Sequence, residues 1–174
     1  GENSASSSAY AIANMTSNGE ILAQIGRGGG IKPLIALAND GGNLHSQCLA
    51  LSSLRRLAFV RENRDRMISE NILECLTCAS RTSQVEIQRE VAGCLCNLSL
   101  SSSNRLAIAQ KAMSELVLLT QSEDVETIRS SLGSLANCAE DIDTHVFMKS
   151  ASILDTIVGW LEREELDIKR ESAR

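Results

Sequence analysis

The sequence of 174 residues holds one proline and only four aromatic side chains, Tyr10, Phe59, Phe147 and Trp160. Strand architectures draw on aromatic and β-branched residues, so this scarcity points to packed helices with a core of Leu, Ile, Val, Ala and Cys. No apolar run approaches the roughly eighteen residues of a spanning helix, and no charged-then-apolar leader opens the chain. The expectation is a cytoplasmic protein with no direct membrane insertion, tethering or a nuclear site remaining open. A surplus of basic charge is also lacking: 17 Lys and Arg stand against 22 Asp and Glu, a formal charge of −5. Without a basic field to bind phosphate backbones, nucleic acid is not an expected partner. Histidine is limited to His45 and His145.

What is present is self-similarity. The segments IKPLIALA (31–38), ILECLTCA (72–79), MSELVLLT (113–120) and LDTIVGWL (154–161) share apolar residues at offsets 0, 3, 4 and 6. Their starts are 41 residues apart in each case (72 − 31, 113 − 72, 154 − 113). That spacing marks one face of a helix. A second recurring segment reads YAIANMTSN (10–18), SLRRLAFVREN (53–63), CLCNLSLSSSN (94–104) and SLANCAEDID (134–143). A third, clearest in ENRDRMI (62–68) and SNRLAIA (103–109), joins the two.

Each period thus predicts three helices, a unit that needs neighbours to bury its faces. First helices are expected near 18–26, 61–69, 102–111 and 143–151, and second helices near 31–39, 71–80, 113–121 and 153–163. Third helices are expected near 4–16, 44–59, 84–100 and 125–140, with another beginning at 167–174. RGGG (27–30) and NDGGN (39–43) supply turns.

Four chemical readings of particular residues are weak. Cys75-x2-Cys78 followed by Cys94-x-Cys96 has the look of a zinc set. The repeat register instead places Cys75 and Cys78 at core positions, and residues two apart on a helix diverge by roughly 200°, so Cys94 and Cys96 cannot face one ion. His45 and His145 lie too far apart along a stack to share a catalytic site. GRGGG (26–30) lacks the preceding strand of a phosphate cradle, and EREE (162–165) reads as a solvated face. Neither an enzyme nor a bound cofactor or metal is expected.

The recurring asparagine is more informative. Asn14, Asn97 and Asn137 share a register in which the intervening repeat has Arg56. Asparagine is a poor helix former, yet its amide offers both donor and acceptor. It could pair with the backbone of an extended peptide, or cap and bridge neighbouring repeats. Two turns earlier stand Arg89, Arg129 and Arg170, which either form a basic strip with Arg56 or pair with Glu86, Glu126 and Glu171.

The chain resembles the armadillo (armadillo/β-catenin-like) repeat family through GGIKPLIAL (29–37), ENRDRMI, GCLCNLS (93–99) and GSLANCA (133–139). The resemblance implies an all-α, right-handed superhelical solenoid of three-helix repeats with a period of about 41 residues, third helices lining a concave groove. Its expected parts are a third helix of a partial repeat at 4–17, repeats at 18–59, 60–100 and 101–141, and an incomplete repeat at 142–174. The array reads as truncated at both ends, where self-association is open. Asn14, Arg56, Asn97 and Asn137 would form the peptide ladder, with Tyr10, Arg89, Arg129 and Arg170 along the groove edge. The family's import adaptors place Trp one turn before the ladder, where this chain has Tyr10, Ser52, Gly93 and Gly133, so a role in import is a poor fit. The expected function is a non-catalytic scaffold holding an extended, acidic protein segment. A structural, membrane-tethered or cytoskeletal assembly scaffold using the outer faces is the alternative.

Overall fold

A computed structural model describes residues 2–14, 19–40, 43–151 and 153–172. It contains α1 (Glu2–Asn14), α2 (Gly19–Arg27), α3 (Ile31–Asn39), α4 (Leu44–Leu57), α5 (Arg61–Ser69), α6 (Ile72–Ala79), α7 (Val85–Ser99), α8 (Ser102–Leu119), α9 (Val125–Ala139), α10 (His145–Ser150) and α11 (Ile153–Ser172). A 3-10 turn, Ile142–Thr144, leads into α10, and no strand occurs among the described residues. Helices α1, α4, α7 and α9 pack side by side in that order. Behind them, α3, α6 and the second half of α8 form a parallel row, and α2, α5 and the first half of α8 a third. One core runs the length of the stack, including Leu54, Leu57, Leu76, Leu95, Leu98 and Leu116.

The start of α4 is capped by Asn43, whose Oδ1 accepts from the backbone of His45 at 2.9 Å and of Ser46 at 3.3 Å. Between α2 and α3, Gly30 N–H reaches back to Ile25 O at 2.9 Å, a closure that places Gly29 at φ +82°. The corresponding break between α5 and α6 uses Asn71 at φ 61°, a side chain tolerant of the left-handed region. In the next repeat this break is gone. The expected helices at 102–111 and 113–121 are one continuous α8, because no glycine or left-handed asparagine interrupts Gln110 and Lys111.

That continuity corrects the register. Buried Leu73, Cys75, Leu76, Ala79 and Ser80 correspond to Met113, Glu115, Leu116, Leu119 and Thr120, a spacing of 40 rather than 41. In both helices the last residue of the set returns its hydroxyl to a carbonyl three residues back, Ser80 to Thr77 and Thr120 to Val117. Cys78 therefore corresponds to Leu118, and both are exposed, so Cys78 is not the core residue expected. The fourth segment shifts likewise: Ile153 is buried, whereas Leu154 is 73% exposed. The expected break before a further helix at 167 is also absent, since α11 runs unbroken to Ser172.

A recurrent stitch ties the ends of α4, α7 and α9 to the start of the helix or turn after each. Asn63, Asn104 and Thr144, all buried, donate to the carbonyls of Leu57, Leu98 and Cys138, each six residues back, at 3.0, 3.3 and 2.6 Å. The next residue in each case, Arg64, Arg105 or His145, bonds to Ala58 O, Ser99 O or Ala139 O with the same separation. At Leu57, Leu98 and Cys138 the side-chain donor joins a backbone N–H, from Val60, Ser101 and Asp141, in the last turn of the helix, where carbonyls lack their full set of intrahelical partners. They explain the recurring Asn-Arg of ENRDRMI and SNRLAIA. Asn63 also donates to Leu22 O at 3.0 Å, tying α5 to α2, and the absence of a side chain at Gly26 makes room for its amide.

Candidate functional site

The row α1, α4, α7, α9 presents Tyr10, Asn14, Arg56, Asn97 and Asn137. Near its centre lies a groove of about 350 Å³, lined among others by Arg55, Arg56, Phe59, Glu90, Asn97 and Ser130. Three successive third helices thus contribute to one concavity. Arg56 is half-buried, and its Nε is enclosed with no hydrogen-bond partner among the described residues. Its neighbour Arg55 lies across the backbone at Gly93, where an added Cβ would meet Arg55 Nε at 2.5 Å. From there Arg55 Nη1 reaches Glu90 Oε2 at 3.4 Å, longer than the roughly 2.8 Å of a close charge-assisted bond. Phe59 stands at the lip, 72% exposed.

Asn97 Nδ2 donates to Arg55 O at 3.0 Å, and Asn137 Nδ2 to Ser99 Oγ at 2.9 Å. Both amides therefore bridge to the preceding third helix. A primary amide can make about four hydrogen bonds, and each of these uses one. Bridging neighbours and offering the remainder to a ligand are compatible. Asn14 is exposed and bonds back along its own helix, donating to Tyr10 O at 3.0 Å. Tyr10 is exposed and, with Ser6, Ser7, His45 and Leu49, borders a separate shallow depression.

The arginines two turns earlier have partners. Arg89 grips Asp124 with two bonds, Nε to Oδ2 at 3.0 Å and Nη2 to Oδ1 at 2.6 Å. Asp124 is the N-cap of α9 and also accepts from Thr127 N at 2.9 Å. Hydrogen bonds from Arg89, then from Thr127, hold the Asp124 carboxyl well below the usual carboxylate range despite partial burial. Arg129 pairs with Glu126 on its own helix, as one of the two sequence readings has it. The Arg170 side chain lies outside the described residues. Cationic character not matched by close carboxylates thus falls at Arg55 and Arg56, and Arg55 and Glu90 are the residues that sequence register alone did not single out. The Arg-Arg doublet opposite a glycine at the facing position, Gly93, was the available signal.

The cysteines divide by burial. Cys94 is sealed in the core, where desolvation raises its pKa strongly, and Cys75 and Cys138 are pushed up to about 11 by the same cause. Cys96 is half-buried at the groove, its Sγ 3.3 Å from where a Cβ on Gly133 would stand. Among the described residues no group of His, Cys, Asp or Glu could hold a metal ion. Nor is any helix among them long and apolar enough to cross a membrane.

Comparison with known proteins agrees with this architecture. No family model matches. Vacuolar protein 8 of Schizosaccharomyces pombe is 30% identical over 119 residues, covering 67% of this chain and 22% of that protein. Vacuolar protein 8 of Saccharomyces cerevisiae is also 30% identical over 119 residues, covering 67% of this chain and 21% of its own length. The chain thus spans about a fifth of the length of these relatives. Among solved structures, a designed armadillo repeat protein in complex with the peptide (KR)4 superposes with a TM-score of 0.80 at 21% identity, covering 88% of this chain and 66% of that one. Computationally designed armadillo repeat proteins for modular peptide recognition superpose at 0.83 with 20% identity, covering 91% and 68%. UNC-45 from Drosophila melanogaster superposes at 0.74 with 22% identity, covering 89% of this chain and 20% of that one. The chain is an armadillo-repeat protein, an all-α solenoid of the kind that commonly serves as a protein-binding scaffold.

Proposed function

We propose that the chain is a non-catalytic scaffold that binds an extended, acidic segment of a partner protein along α4, α7 and α9. The observation that carries this reading is the enclosed Nε of Arg56, without an acceptor among the described residues, in the same groove as the Asn97 amide. An extended segment leaves its own N–H and C=O groups unpaired, and the remaining valences of Asn97 and Asn137 are suited to meet them. The guanidiniums favour carboxylate or phosphate side chains. The designed relative in complex with (KR)4 holds a basic peptide, so the same fold supports the opposite preference when the groove residues change.

Fluorescence polarisation with acidic, neutral and basic extended peptides tests the reading. Acidic peptides should bind best, more weakly in high salt, and the Asn97→Ala, Asn137→Ala double variant should lose about tenfold in affinity. Binding indifferent to the double variant would remove the groove from the account. A second reading is an assembly scaffold working through its outer faces, and the vacuolar designation of the yeast relatives offers the vacuole as its place. Imaging of the tagged full-length protein, with retention of its location in the double variant, would support that reading instead.

A further inference from the structure

Arg55 and Arg56 are neighbours on α4 but differ in what holds them. Arg56 Nε is shut away from solvent without an acceptor among the described residues, a costly state for a charged donor. Arg55 is held only loosely, by a Glu90 carboxylate at 3.4 Å. The Arg55 side chain is 39% exposed and that of Glu90 17%, so the acid sits deeper than the base it pairs with. Arg55 has room to lie there only because Gly93 has no side chain. The pocket therefore contains two guanidiniums and one carboxylate belonging to the chain itself, open to the groove beside Asn97.

We propose that the Arg55–Arg56 pocket is an oxyanion subsite in which Glu90 competes with the bound partner for Arg55. The proposal rests on the groove reading above and adds a point of recognition to it. In the free protein Glu90 occupies part of the place that a partner's carboxylate or phosphate would take. On binding, the half-buried Arg56 side chain swings so that its enclosed Nε–H meets the incoming oxyanion, and Arg55 is drawn away from Glu90, whose carboxylate turns to water. Glu90 thus sets a threshold: neutral segments gain nothing from the pocket, and a single anionic side chain must displace an internal one.

The test uses the 174-residue chain and labelled peptides of alternating Ser and Glu, the same peptide with Gln for Glu, and one with phosphoserine for Glu. Glu90→Gln should tighten the Ser-Glu peptide by about threefold or more, because its competitor has lost its charge while keeping its shape. Arg56→Met, which keeps an unbranched apolar stem, should weaken the Ser-Glu peptide about tenfold and leave the Ser-Gln peptide nearly unchanged. The phosphoserine peptide distinguishes the two sources of oxyanion, and tighter binding than Ser-Glu in wild type would assign the phosphate. Weaker or unchanged binding in Glu90→Gln, or equal losses for charged and neutral peptides in Arg56→Met, would overturn the proposal. Should no peptide bind, the groove reading fails separately, and the Arg56 Nε–H resonance on titration with inorganic phosphate decides the subsite. A shift that grows in Glu90→Gln sustains it, and a stationary resonance overturns it.

Discussion

Helices α7 and α11 occupy opposite situations in the same architecture. Helix α7 lies between α4 and α9 with α6 and α8 behind it, and it buries Ile87, Val91, Cys94, Leu95 and Leu98. In α11, among the described side chains, Ile153 is buried while Leu154, Val158 and Leu161 are exposed. Both have strong apolar patterning. The difference is the number of neighbours, which shows that an apolar stripe in a solenoid specifies burial only where an adjacent unit meets it.

The largest test of that contrast is a pair of leucines. Leu95→Ala should lower the unfolding free energy by about 3 kcal/mol or more, since a fully buried leucine leaves a cavity, whereas Leu161→Ala should change it by about 0.5 kcal/mol or less. Urea unfolding of both variants checks this, and equal losses would break the comparison.

Next in size is the stitch at the α4–α5 junction. Asn63→Ala leaves Leu22 O and Leu57 O without their side-chain donor and should cost about 2 kcal/mol. Gly26→Ala should be costly alone, because its Cβ would lie 1.9 Å from Asn63 Oδ1, and much cheaper in the Asn63→Ala background. A double-mutant cycle measures this coupling, and strict additivity would deny the contact.

Asp124 gives a smaller, pH-dependent effect at the start of α9. Its folded pKa lies below its unfolded value, so its contribution is present above the unfolded value of about 4 and is lost as pH falls toward the folded one. Asp124→Asn should lower the urea midpoint at neutral pH, by about 1 kcal/mol in free energy, and the gap from wild type should close on acidification. A gap that widened in acid would contradict the assignment.

The smallest effect concerns thiol access. Alkylation followed by mass spectrometry should label exposed Cys78 first and Cys94 last, only as α7 opens. Early labelling of Cys94 would show α7 to be no more secure than α11.

Much of the architecture was legible in the sequence. Apolar residues at helical offsets placed the helices up to α7, and α9 and α10, to within a few residues, while the segments expected at 153–163 and from 167 are one helix, and the Gly28–Gly30 turn and the Asn43 cap fell where turn chemistry put them. The fusion of α8 was not legible, because a single residue lost between repeats leaves the apolar pattern intact while moving Cys78 from the register of buried Leu119 to that of exposed Leu118. The Asn97 and Asn137 register was visible, but not that each amide bonds a group about 40 residues earlier. Arg89 was visible as a cation, while its acceptor Asp124 lies 35 residues later in the next unit.

The sequence by itself determined the helices, the period and the identity of the stacked fold, because those arise from local spacing and from short-range turn and capping chemistry. Tertiary structure alone decided which charges are satisfied and which remain available at the groove. Arg89 meets Asp124, Arg55 meets Glu90 only loosely, and Arg56 Nε meets no acceptor among the described residues, since side chains a full repeat apart are brought together by the stacking of helices and not by their distance along the chain.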